Sequence, residues 1–254
     1  LRLKNLGAAF QASPGPLRGN LTATITLVVL LGCLCAVTLA TIFIPILRGK
    51  KDPALFAPRG FWPAAFYFML IGAGFMHVEI GLVQKLSIFL GHPVYALGIL
   101  LFTLIGSTGI GSLLSERLSP AQQRWTLLLP PMAAFCVFAL SFVLPYIIRH
   151  CIIWPILPKA FVSVAALAPL GILLGFFFPT GMKLAQPSLS RATPWFWALN
   201  GVTGVFCSAL AVLISIYSSI SVNFYFGAAG YLATSVCLRQ LHKRIPDLLV
   251  AAKQ

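Results

Sequence analysis

LTATITLVVLLGCLCAVTLATIFIPIL, residues 21–47, is 27 residues long and carries no charged side chain. A helix needs about 20 apolar residues to cross the hydrocarbon core of a bilayer. This stretch therefore reads as a membrane span. Six more stretches of the same character follow at 61–84, 94–115, 125–148, 160–182, 194–217 and 220–238. The composition agrees: 59% of the 254 residues are hydrophobic and 9% are charged. An ordinary soluble domain is roughly 25% charged. A soluble fold of this length has too few polar residues here to cover its surface. The expected fold class is all-α, a polytopic integral membrane bundle of about seven transmembrane helices. A polar segment, 1–20, precedes the transmembrane domain, 21–238, and a basic tail, 239–254, follows it.

The junctions have local causes. Phe61-Trp62-Pro63 sets an aromatic anchor and a proline at the start of the second span, as helix starts at an interface often do. That span is expected to continue along the interface to Leu90, where Gly91-His92-Pro93 breaks it. Pro130-Pro131 is expected to mark the true helical start of the fourth span. Pro179-Thr180-Gly181 should break or kink the end of the fifth.

The net charge is +14, from 18 Lys+Arg against 4 Asp+Glu. In a polytopic membrane protein such an excess collects in loops facing anionic lipid and the cytoplasm, so no nucleic-acid partner is implied. The loops after spans one, three, five and seven hold twelve of the 18 basic residues. That bias puts the C-terminus in the cytoplasm and the N-terminus outside. The chain opens on Leu1, and its first twenty residues contain Pro14 and Pro16 with three basic residues. This is not a signal peptide, and an upstream segment is expected. Of six cysteines, five lie in apolar stretches, where free Cys behaves as a small hydrophobe. Cys33 and Cys35 point about 200° apart on a helix. His150-Cys151 has no partner spacing for a metal.

Four acids exist, Asp52, Glu79, Glu116 and Asp247, and only Glu79 lies within a span. A charge at the bilayer centre costs roughly 2.5–3.5 kcal/mol on insertion scales. Glu79 lies past the middle of its span, where that cost falls, and is a candidate proton-relay or cation-binding group, or a structural carboxylate. His77, Gly81 and Gln84 share a helix face with Gly74 beside them, and Glu79 points about 200° from His77. His77 and Glu79 are not a dyad. A haem or pigment on His77 would need a second His at similar depth. His92, His150 and His242 fall at a junction, in a loop and in a tail, so no cofactor is expected and His77 should bond to a neighbouring helix. Gly171-Ile172-Leu173-Leu174-Gly175 is a GxxxG packing stripe with Ala168 on the same side. Asn200, Gly204, Cys207, Ser208, Ala211 and Ser215 form another, in which Asn200 can bond across the contact. Gly106-Ser107-Thr108-Gly109-Ile110-Gly111 is glycine-rich but follows no strand, so it is no nucleotide loop. Neither a hydrolytic constellation nor a metal cluster of correct spacing is present.

Three blocks carry a family resemblance. Residues 74–97, GFMHVEIGLVQKLSIFLGHPVYAL, resemble a signature of bacterial membrane proteins fused to a spermidine-synthase-like domain. FFPTGMKLAQ, 177–186, and PWFWALNGVTGVFCSALAVL, 194–213, are similar to later blocks of that pattern. LRLKNL, 1–6, resembles the stretch after the aminopropyltransferase-like domain. His77 stands where the family pattern implies an apolar residue. The family's catalytic part is a Rossmann-like domain for S-adenosylmethionine or its decarboxylated form. This chain has no glycine-rich loop after a strand and no aspartate pair, so aminopropyl transfer does not carry over. An upstream cofactor domain belongs in the cytoplasm, which conflicts by one span with the charge count at Leu1.

The resemblance and the residues together imply a non-catalytic subunit or anchor of a larger complex in the bacterial inner membrane. Its partners are the lipid bilayer and other membrane subunits. A carrier of a small cationic or amphipathic molecule is the alternative, resting on Glu79, Gln84 and Asn200. A redox or pigment-binding subunit using His77 is the third reading.

Overall fold

A computed structural model describes residues 15–48, 60–117 and 123–251. The expected loop 48–60 and the segment before residue 15 fall largely outside these. The described chain is helical, with no strand among the described residues. Its helices are α1 (Gly15–Arg48), α2 (Phe61–Leu90), α3 (Pro93–Ser115), α4 (Gln123–Cys151), α5 (Ile156–Gly175), α6 (Phe177–Leu189), α7 (Thr193–Tyr217) and α8 (Ile220–Ala251). Five segments are long and apolar enough to cross a membrane: Phe61–Leu90, Pro93–Ser115, Arg124–Cys151, Ile156–Pro187 and Ser190–Tyr217. In α1 the apolar run among the described residues is shorter, Ile25–Thr41. α8 is not among the five.

α2 is the hub. α7 and α8 pack along it most extensively, α3 covers another side, and α5 lies on α3 while α4 lies on α8. α1 sits outermost, against α7. The core follows α2 through Tyr67, Phe68, Val78, Leu82 and Leu86, all fully buried. The outer faces are apolar too: Phe102, Phe135 and Phe161 are 78%, 71% and 80% exposed. Large aromatic side chains on the outer faces of apolar helices suit an apolar solvent.

The α2–α3 corner follows its sequence cues. Gly91 ends α2 with φ 77°, its N–H on the Ser87 carbonyl. That left-handed angle suits glycine, which has no Cβ to strike the following carbonyl. His92 then caps α3: its Nδ1 accepts from the Val94 N–H at 3.3 Å, and Pro93 takes the first helical position. Gly91→Ala should therefore lower stability by roughly 1 kcal/mol. The thermal midpoint in detergent checks this, with Gly98→Ala, where an added Cβ meets open space, as a control that leaves it unmoved or raises it.

Four boundaries need correction. Pro130-Pro131 does not start the fourth helix; α4 begins at Gln123 and runs through Pro130, Pro131 and Pro145. Membrane helices tolerate internal proline because neighbouring groups and small backbone adjustments re-satisfy the freed carbonyls. The break in the fifth span falls at Phe176, just before Pro179, rather than at its end. Pro179 has no N–H for the Gly175 carbonyl, and the Phe176 N–H turns back to Leu173 at 3.3 Å. The residues from 239 are not a separate tail, since α8 continues to Ala251. Likewise α1 starts at Gly15, inside the expected polar segment.

Candidate functional site

Four polar side chains, His77, Gln84, Ser215 and Asn223, form a network between α2, α7 and α8. Asn223, fully buried on α8, is its centre. His77 Nδ1 on α2 donates to Asn223 Oδ1 at 3.0 Å. Asn223 Nδ2 donates to the Ala211 carbonyl at 3.0 Å and to Ser215 Oγ at 2.7 Å, both on α7. Ser215 Oγ in turn donates to Gln84 Oε1 at 2.6 Å, which closes the path back to α2. The ring of His77 also stacks on Phe226, with centroids 5.5 Å apart. The helices approach closely enough for this because the same α2 face carries Gly74 and Gly81. Those glycines meet Tyr231 and Phe224 of α8.

The face grouping of Gly74, His77, Gly81 and Gln84 holds, and His77 bonds to a neighbouring helix as expected. Asn223 was missed, although an amide inside the apolar run of 220–226 is a visible signal. His242 is not in a tail. It is buried on α8, its Nδ1 donating to the Leu238 carbonyl at 2.9 Å and its Nε2 3.0 Å from Thr126 Oγ1 of α4. His150 lies in the last turn of α4 rather than in a loop, with Nδ1 on the Tyr146 carbonyl. Among the described residues no three His, Cys, Asp or Glu side chains gather to hold a metal.

The packing stripes are used within the chain. A Cβ on Gly171 would strike Ser107, and one on Gly175 the Thr108 backbone; Gly111 in turn meets the Ile172 carbonyl. The glycine-rich run 106–111 thus supplies, through Gly111, the counterpart of the GxxxG. Gly204 faces Met76 of α2, and Asn200 Nδ2 donates to the Phe68 carbonyl at 3.0 Å. Ser208 donates to its own helix at Val205. At the α5–α6 break, Tyr67 Oη donates to the Phe177 carbonyl at 2.9 Å, and Lys183 Nζ reaches the Ser115 carbonyl at 2.7 Å. The lysine is thereby a cation at the negative end of α3.

Beside the network, on the other side of α2, a groove of about 650 Å³ runs between α3 and α7 and ends at the α5–α6 break. Gly72, Phe75 and Met76 form its floor. Its walls include Thr108 and Ser112 of α3 and Asn200 and Ser208 of α7. Glu79 lies one turn past Met76, half-buried, with no hydrogen bond or ion pair among the described residues. No family model, curated protein or solved structure matches the chain.

Proposed function

We propose that this chain is a non-catalytic membrane component, an anchor or scaffold subunit of a larger assembly. The carrying observation is the closed character of the interior network. His77, Asn223, Ser215 and Gln84 bond to one another and to the Ala211 carbonyl. Groups arranged this way fix the relative register of three helices, which is what a rigid anchor needs. The resemblance of residues 74–97, 177–186 and 194–213 to the membrane part of spermidine-synthase-like proteins supports the same reading and a bacterial inner-membrane location. Helix alternation supports the orientation. Arg117, Arg124, Lys183, Arg191, Arg239 and Lys243 belong to the end of the bundle where α3 and α8 finish. Lys85, Arg149 and Lys159 belong to the opposite end. The more basic end, with the C-terminus, faces the cytoplasm.

Native mass spectrometry of the protein extracted gently from its own membrane tests the proposal. The expected spectrum shows the chain with other membrane subunits in fixed ratio. A chain that arrives alone overturns it. Glu79→Gln should leave that ratio unchanged, because Glu79 takes no part in the network.

A further inference from the structure

We infer that the groove between α3 and α7 is a binding site for a lipophilic ammonium ion, a primary amine carried on an apolar body. Three observations lead there. The first is the position of Glu79. Gly72, Phe75 and Met76 line the floor, and Glu79 continues that face at i+7 from Gly72. α2 and α7 run parallel here, with Gly72 against Asn200 and Gly204 against Met76. Four residues on from Gly204 stands Ser208, which also lines the groove. This register brings residue 79 level with the end of the groove marked by Ser208, one turn beyond the lining residue Met76.

The second observation is the sense of the hydrogen bonding. Thr108 Oγ1 gives its proton to its own helix at Leu104, and Ser208 Oγ does so at Val205. What these hydroxyls still offer to a ligand is acceptor lone pairs. No lining residue of the groove is Lys, Arg or His. Acceptors without a cation in the lining, with the one acid of α2 a turn beyond it, are complementary to an N–H-rich cation.

The third observation is the direction of access. Ile105 and Val205, on the two walls, are 67% and 54% exposed. The groove therefore opens sideways, toward the surface that an apolar solvent covers. A ligand arriving there must partition into the bilayer, which selects an amphiphile over a small hydrophilic cation. Phe75, Met76 and Phe178 supply the contact for its apolar body. The site does not depend on attached subunits, so it stands or falls apart from the anchor reading.

The test uses the full chain, with whatever subunits accompany it, in phosphatidylcholine nanodiscs. The probe is a decylammonium carrying a diazirine. Labelled peptides are located by mass spectrometry. Labelling should concentrate on α2, α3 and α7 around the groove. Decylammonium should compete it away, and decanol should not. Decyltrimethylammonium, which keeps the charge but has no N–H, should compete less well than decylammonium. Glu79→Gln should weaken competition by roughly ten-fold, the scale of one hydrogen bond to a charged group. Gly201→Phe should abolish labelling, since Gly201 lines the groove and a Cβ there meets nothing within 4 Å. Equal competition by decanol and decylammonium in the unaltered protein overturns the inference even if both variants fail to fold. So does undiminished labelling of folded Glu79→Gln.

Discussion

Gly175→Leu is expected to prevent the bundle from closing. At this position even a Cβ would enter the Thr108 backbone, and backbone cannot rotate away as a side chain can. α5 must then move off α3, and with it goes the reciprocal contact of Gly111 with the Ile172 carbonyl. Overpacking in a close-packed interior costs about 1–3 kcal/mol when side chains absorb the strain. Here the helix axes themselves must separate, so the expected loss is on the order of 3 kcal/mol or more. In detergent this should read as a collapsed thermal midpoint and an aggregated profile on size exclusion. Gly106→Leu is the matched control on α3. Nothing lies within 4 Å of a Cβ at Gly106, so its stability should stay within about 0.5 kcal/mol. If Gly175→Leu and Gly106→Leu behave alike, close approach of α3 and α5 is not what holds this face together.

That contrast also marks what the sequence could convey. Composition and run length made the all-helical architecture, with helices long and apolar enough to cross a membrane, legible, because both can be read without reference to any neighbour. Gly91-His92-Pro93 was legible for a similar reason: a left-handed glycine, a capping side chain and a proline act within one corner. The Pro130-Pro131 reading failed because tolerance of an internal proline depends on the helices around it. The break at Phe176 was placed too late because a proline disrupts the turn before itself. Gly171 and Gly175 were recognisable as a packing stripe, but only the fold shows that Gly111 and Ser107 of the same chain receive it. His77 and Gln84 were found by helical periodicity on one helix. Asn223 and Ser215 complete the same network from two other helices, and periodicity carries no information across 131 or 146 residues of sequence. The groove was invisible for the same reason, since its walls come from separate helices.

Asn223→Leu is the second large effect expected, and it separates a network from a set of independent bonds. A single interhelical hydrogen bond in a membrane is worth only about 0.6 kcal/mol on average. Removing Asn223 does more than delete bonds: it strands His77 Nδ1–H in a buried site where Asn223 Oδ1 was its partner. A stranded buried donor costs about 1–3 kcal/mol. With the lost bonds to Ala211 and Ser215, the expected destabilisation is roughly 2–4 kcal/mol, read from reversible unfolding in mixed micelles. His77→Leu alone should cost less, because it leaves Asn223 Nδ2 bonded to α7 and strands only an acceptor oxygen. The double variant removes donor and acceptor together and lets an apolar pair fill the space. It should be more stable than the sum of the single effects predicts, by about 1 kcal/mol, within the range seen for directly bonded residues. Gln84 and Ser215 keep each other in all three variants, so the path from α2 to α7 survives and the comparison isolates the α2–α8 tie. Additive effects would mean that His77 and Asn223 contribute separately, and the closed network would then lose its claim to set the register of α2, α7 and α8.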